Sequence, residues 1–373
     1  MLFEMISLLL GFILIVYFYF QYNYQFFKRL NIYSLDPSFP FGNWGKVVTR
    51  QKWLGHEIKK FYQKANEKNA PAIGIYNLIE PTLILCDPEL IKQCLIKNFS
   101  KFHDRGLIRP AEKLDPLSGH LFALNGQKWR NMRIKLSPTF TSGKIKMMFP
   151  IIKDRSNDLV KYLEENKETE FEMRDLFARL LTDIIASCAF GISCNSLENP
   201  DDEFRHMGKN ISVSGKFGTF KRTLDQFCRP LRILLKLKLS NPEVESYFIN
   251  MVQDTIKYRE ENNIKRNDFM QLLIQLKNSE SIDDEETKEK SNERDGTSLT
   301  ILECAAQAFV FFIAGFETSS TTMSFAIYEL ATNPEIQLRA QEEIDDVMRR
   351  SPTLTYESLS EMEYLEQVIN GMF

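Results

Sequence analysis

Read for hydrophobic and polar positions, the chain opens on an uncharged, apolar run from Met5 to Phe27. As a helix such a run rises about 35 Å, enough for a hydrocarbon core of about 30 Å. Tyr17, Tyr19, Tyr22 and Tyr24 crowd its C-terminal end as an interfacial aromatic belt does, with Glu4 before the run and Lys28 and Arg29 after it. The pattern predicts a single uncleaved membrane anchor over 1–29, with the body on the cytosolic side. A cleaved signal peptide fits less well, because no basic residue precedes the run and no small-x-small site ends it. The sequons Asn98-Phe-Ser and Asn210-Ile-Ser are open to glycosylation in a lumenal body and closed to it in a cytosolic one. Over 30–45, the stretch Asp36-Pro-Ser-Phe-Pro-Phe-Gly-Asn43 cannot continue a helix and favours a stiff, extended linker.

From residue 46 to 373 the periodicity changes. Ala72 to Tyr76 and Thr82 to Cys86 are short β-branched and apolar runs separated by Asn77 to Pro81, which predicts a strand pair. Asp87-Pro88-Glu89 then marks a helix start, with Asp as N-cap and Pro in the first turn. Leu159 to Leu163, Met173 to Phe190, Glu243 to Glu261 and Asp268 to Leu276 carry apolar residues at intervals of three and four, the helical spacing. Ser279 to Gly296 is acidic and nearly free of apolar residues, and predicts a solvated connection. The body is therefore mainly α with a small β-sheet near its start.

Composition narrows the functional classes. A net charge of −3 over 373 residues offers no basic field for nucleic acid. The 29 phenylalanines imply an aromatic-rich interior that can also line an apolar ligand cavity. None of the six cysteines forms a C-x-x-C pair, so no zinc or iron–sulfur site is predicted, and so sparse a set fits a reducing compartment.

The longest helical candidate is Thr300 to Leu330. Its middle, Ala305 to Phe316, is almost wholly apolar but too short to cross a bilayer, which predicts a helix buried through the protein centre. Inside it stands Ala314-Gly-Phe-Glu-Thr-Ser-Ser320, where a glycine, a carboxylate and hydroxyls contradict local helix propensity. One reading is a kink, with Gly315 admitting a neighbour and Thr318 bonding back to a preceding carbonyl. The other is a gap that admits a flat cofactor while hydroxyl and carboxylate pass protons inward.

Together with Gly126-Gln-Lys-Trp129-Arg-Asn-Met-Arg133, this run resembles the cytochrome P-450 monooxygenases of the microsomal insect detoxification type, whose patterns are A-G-x-[DE]-T-[TS] and W-x-x-x-R. The resemblance extends through Phe102-His-Asp-Arg-Gly106, Pro116 to Phe122, Asp183 to Gly191, Asn333-Pro-Glu and Met362-Glu-Tyr-Leu365, nearly the whole chain in family order. It implies a cytochrome P-450-like fold whose catalytic body is 46–373. The implied cofactor is haem, and the implied reaction inserts one oxygen atom from dioxygen into apolar small molecules, xenobiotics or endogenous lipids. Electrons come from NADPH through a reductase at the endoplasmic reticulum membrane. Thr318 and Glu317 then deliver protons for dioxygen activation. Ala314 and Gly315 lie against the haem face, and Trp129 and Arg133 hydrogen-bond a haem propionate. Lys128, Arg130 and Lys135 lie on the surface that receives the reductase. Gly106 to Phe122, Phe204 to Lys236 and Phe309 to Phe312 border the substrate cavity, with Phe122, Phe309 and Phe312 as its aromatic lining.

The pattern breaks after Met362 to Asn370. The E-x-x-R helix and the F-x-x-G-x-R-x-C-x-G loop, whose cysteine thiolate binds iron, have no match in Gly371-Met-Phe373 or elsewhere in the sequence. None of the four histidines, His56, His103, His120 and His206, lies where the family places the haem's proximal side. The resemblance then implies a chain that lacks the metal-ligating residue and is inactive by itself. The alternative to a monooxygenase is a truncated, non-catalytic product that is degraded or sequesters the reductase. A membrane-tethered helical binding protein unrelated to haem has to treat both motifs as accidents.

Overall fold

In the computed structural model, which describes residues 2–106, 112–211, 218, 221, 232–278 and 298–371, the uncharged N-terminal run is a helix, α1 (Leu2–Asn23). Phe3, Leu8, Phe12 and Ile15 are all more than half exposed, and this segment is long and apolar enough to cross a membrane. The chain divides into two units, residues 1–104 and 105–373.

In the first unit, β1 (Ala72–Asn77) and β2 (Glu80–Leu85) form the expected antiparallel hairpin, with Ile73 opposite Ile84 and Ile75 opposite Thr82. Alternation of side chains along β1 gives its two faces different tasks. Ile73 and Ile75 are fully buried against Phe61 and Ala65 of α2 (Leu54–Glu67). Tyr76 faces the other way and reaches the residues that follow α1. Its hydroxyl donates to the Tyr24 carbonyl at 2.8 Å and accepts from the Phe27 amide at 3.2 Å. The first residues after α1 are therefore hydrogen-bonded to the hairpin. Asp87 caps the following short helix, accepting from the Leu90 amide at 2.7 Å with Pro88 in the first turn, as its sequence predicts.

The second unit is helical. Counting helices of eight residues or more among its described residues, it holds α3 (Gly126–Leu136), α4 (Ser142–Glu165), α5 (Met173–Ile185), α6 (Glu203–Asn210), α7 (Pro242–Glu261), α8 (Phe269–Lys277), α9 (Ile301–Thr332), α10 (Pro334–Arg350) and α11 (Glu363–Gly371). Helix α4 is far longer than Leu159–Leu163 suggests, because its first half exposes most of its side chains and carries Pro150, leaving little apolar period to read. The stretch predicted to run on to Phe190 does so, but through one wider, π-helical turn after Ile185. The acidic segment Ser279–Gly296 lies outside the described residues.

Helix α9 passes through the centre. Thr300 and Glu303 cap its start reciprocally, the Thr300 hydroxyl accepting from the Glu303 amide at 3.2 Å while the Glu303 carboxylate accepts from the Thr300 amide at 2.8 Å. From Cys304 to Phe309 every residue is buried, Gln307 included. Around it lies an aromatic cluster of Phe190, Phe204, Phe248, Phe309 and Phe312, with successive ring centroids 5.0 to 5.8 Å apart and mostly edge to face. Each such pair adds about 0.5–1.5 kcal/mol to the burial of its rings. Part of the phenylalanine surplus is thus core, with nine phenylalanines buried among the described residues.

Candidate functional site

The site begins with a change of environment along α9. After the buried stretch, Ile313, Ala314, Glu317 and Thr318 are exposed, although they continue the same helix. With 3.6 residues per turn, Ala314 and Thr318 fall on one line of the helix surface and Ile313 and Glu317 on the line beside it. Gly315 points elsewhere. A Cβ there would lie 3.0 Å from Ile185 Cδ1, so the missing side chain lets α5 approach α9. Gly208 serves the crossing of α6 in the same way, since a Cβ would sit 2.2 Å from Phe312 Cζ. Close packing on two sides of α9 leaves the Ala314–Thr318 line open.

The two polar side chains on this face are engaged. The Thr318 hydroxyl donates back to the Ala314 carbonyl, the arrangement that hydroxyls adopt inside helices. The Glu317 carboxylate pairs with the Arg174 guanidinium at the start of α5. Arg174 is a partner that the sequence does not advertise, because the two positions are far apart in the chain and neither belongs to a shared motif.

On α3, Trp129 is half-buried against the central core and Arg133, one turn later, is exposed. Arg133 has no ion-pair partner among the described residues. An exposed guanidinium one helical turn from a tryptophan is a suitable donor to a carboxylate. Lys128, by contrast, is held by Glu112 at 2.9 Å.

The aromatic residues expected to line a substrate cavity separate in the structure. Phe309 is 9% exposed and Phe312 1%, both inside the aromatic core, whereas Phe122 is 44% exposed. Phe312 borders a cavity of about 300 Å³ beside α5 and α6, and its ring stacks on Phe316. Phe122 lies at the surface, with the Arg105 guanidinium 4.8 Å above its ring. Of the broader bordering segments, residues 107–111 and most of 212–231 lie outside the described residues. Helical spacing back from Thr318 marks Ile313 as the exposed apolar neighbour of Ala314 that composition alone had hidden.

Gln307 is the other residue that the sequence reading passed over. Fully buried, it accepts from the Leu121 amide at 2.9 Å and donates to the Gly119 carbonyl at 3.2 Å, pinning the 117–124 segment to α9. Its signal was present, for it is the one polar residue between Ala305 and Phe316. In the same segment His120 is buried, and its Nδ1 accepts from the Ala123 amide at 3.2 Å. Burial pushes its pKa down to about 4. A histidine depressed from about 6.5 contributes stability that is present above the unfolded value and is lost as pH falls toward the folded one. The protein is expected to lose roughly 2 kcal/mol between pH 7 and pH 5 from this group alone. Denaturant midpoints of His120→Asn, compared with the parent across that window, check this, and an equal slope for both proteins contradicts it.

Residues 37–373 match the family model described as cytochrome P450. The chain belongs to the cytochrome P450 family. Probable cytochrome P450 6a21 of Drosophila melanogaster is 42% identical over 346 residues, which are 92% of this chain and 67% of that protein. Cytochrome P450 6a9 of the same species is 42% identical over 349 residues, 93% of this chain and 67% of the relative. Cytochrome P450 6A1 of Musca domestica is 40% identical over 355 residues, 94% and 67%. The chain is thus similar to insect cytochromes P450 of the 6a type, and the family is one of haem monooxygenases.

The residues described here fit the haem that the P450 family implies. Ala314 and Thr318 offer a small, exposed surface to a flat apolar group, and Trp129 with unpaired Arg133 offers donors to its acid groups. Cys188, Cys194 and Cys304 are not ready thiolates, since desolvation pushes Cys188 up to about 11, Cys304 up to about 12, and Cys194 upward as well. The fit therefore concerns the side of the cofactor that α9 and α3 address.

Proposed function

We propose that this P450 chain forms the oxygen-activating and propionate-binding side of a haem-thiolate monooxygenase that acts on apolar small molecules, with electrons from NADPH through a reductase. The reading extends to a single anchor over 1–29 in the endoplasmic reticulum membrane, a linker over 30–45 and a cytosolic catalytic body over 46–373. One observation carries it: just past the buried stretch Cys304–Phe309, helix α9 exposes Ala314 and Thr318 along one line of its surface, with the Glu317 carboxylate on the next line.

Bound haem supplies the activation of dioxygen. The roles of the chain's own residues follow from their surroundings. Trp129 donates its indole N–H and Arg133 its guanidinium to a propionate, neutralising a charge that is otherwise costly beside the core. Ala314 keeps the helix surface low enough for a flat ring. Thr318 holds a hydroxyl proton, now given to the Ala314 carbonyl, which a small rotation redirects outward. Glu317 can take protons from solvent and pass them to that hydroxyl, with Arg174 fixing where its carboxylate rests. The exposed apolar face at Ile313 gives an apolar substrate a contact next to these groups.

Arg133→Ala tests the propionate role. Losing a charge-assisted hydrogen bond of about 1.5–3 kcal/mol is expected to weaken haem retention at least about tenfold. The ratio of haem to protein after gel filtration measures this, and an unaltered ratio removes Arg133 from the site.

A further inference from the structure

The cavity of about 300 Å³ bordered by α5, α6 and α9 has a wall of which the monooxygenase reading uses only Arg174, Ile313 and Glu317. One part of its wall is apolar, made by Ile211, Phe312 and Phe316. The charged part is unevenly matched. Glu172 is spent on the amide groups of Arg174 and Asp175 at the start of α5. Asp175 holds both Arg179 and Arg205, and Glu317 holds Arg174. Every carboxylate of the wall is therefore committed.

Two donors are not. Arg205 is 1% exposed; its terminal nitrogens bond to Asp175 and to the Pro200 carbonyl, while its Nε–H is buried without an acceptor. A buried N–H left unpaired costs about 1–3 kcal/mol, so the site favours whatever supplies an acceptor. Lys209, one turn further along α6, has no ion-pair partner among the described residues. An unmatched cation and an unmatched buried donor beside an apolar wall suit a molecule with an anionic head and a hydrocarbon body.

We propose that this cavity binds an aliphatic carboxylate, with Arg205 Nε and Lys209 holding the head group and Ile211, Phe312 and Phe316 the chain. By helical spacing, Phe312 and Phe316 occupy the side of α9 away from the Ala314–Thr318 line. The cavity wall also takes in Ile313 and Glu317, so it adjoins the surface proposed to face haem, but the proposed anion site uses neither residue and its test needs no haem chemistry.

The test is calorimetric titration of the full chain in phosphatidylcholine nanodiscs with sodium octanoate, octanol and inorganic phosphate, subtracting empty nanodiscs. Octanoate is expected to saturate and to bind at least about tenfold more tightly than octanol or phosphate, the scale of a charge-assisted contact. Lys209→Gln, a change at an exposed position, should weaken octanoate by about tenfold and leave octanol unchanged. Equal affinity for octanol and octanoate, equal affinity for phosphate and octanoate, or unchanged octanoate binding in Lys209→Gln each overturns the proposal.

Discussion

Thr318→Ala in the haem-loaded protein is expected to divert NADPH consumption from oxygenated product to hydrogen peroxide. The hydroxyl of Thr318 stands on the exposed line of α9 beside Ala314, and its proton is already hydrogen-bonded within the helix. Removing it takes away the proton donor closest to the surface that is to face the cofactor. Positioned proton transfer contributes about 10²–10⁴ to such steps, so product per NADPH should fall by at least about tenfold while NADPH consumption persists. Thr318→Ser keeps a hydroxyl and should recover most of the coupling. Peroxide and product assayed in the same reaction decide the matter, and unchanged coupling in Thr318→Ala takes the residue out of the proton route.

The second large effect is on stability. Asp268 and Arg259 are both almost wholly buried, and they meet in a two-pronged pair with Nη–Oδ distances of 2.8 and 2.6 Å. Asp268 also caps α8 by accepting from the Gln271 amide at 2.9 Å, and it receives Arg266 at 3.3 Å. Asp268→Ala leaves a buried guanidinium without its counter-charge and a helix without its cap. Breaking a buried pair from one side costs about 3–5 kcal/mol, so the denaturant midpoint should drop steeply. Arg259→Met together with Asp268→Ala should recover part of the loss, because the orphaned charge is gone. A loss below about 1 kcal/mol in the single variant contradicts a structural role for the pair.

Much of this architecture could be read from the chain because its signals are local. The apolar N-terminal helix, the hairpin around Asn77 to Pro81, the Asp87 cap, and the helices starting at Thr300 and Asp268 each rest on a few adjacent residues whose conformational preferences agree. Facing was harder to read. Between Ala305 and Phe316 nearly every residue is apolar, so the sequence carries no amphipathic period to tell which of Phe309, Phe312 and Ile313 point into the core. The first two proved to be core and the third exposed. Partners distant in sequence were hidden for a related reason. Arg174 with Glu317, and Gln307 with Gly119 and Leu121, meet only because α5 and the 117–124 segment pack on α9. Gly315 shows both features at once, for its smallness was legible while the neighbour that needs it, Ile185, was not.

The most direct measurement is a methyl NMR spectrum of the haem-loaded protein carrying ¹³C-labelled alanine methyls, compared between its paramagnetic ferric form and a diamagnetic ferrous carbonyl form. Ala314 stands on the exposed line of α9, whereas Ala305 is fully buried on the same helix, about 13 Å away along its axis. If the Ala314–Thr318 face bears the cofactor, the Ala314 methyl should shift or broaden strongly in the ferric form and Ala305 far less. A strong effect on Ala305 with none on Ala314 would contradict that placement.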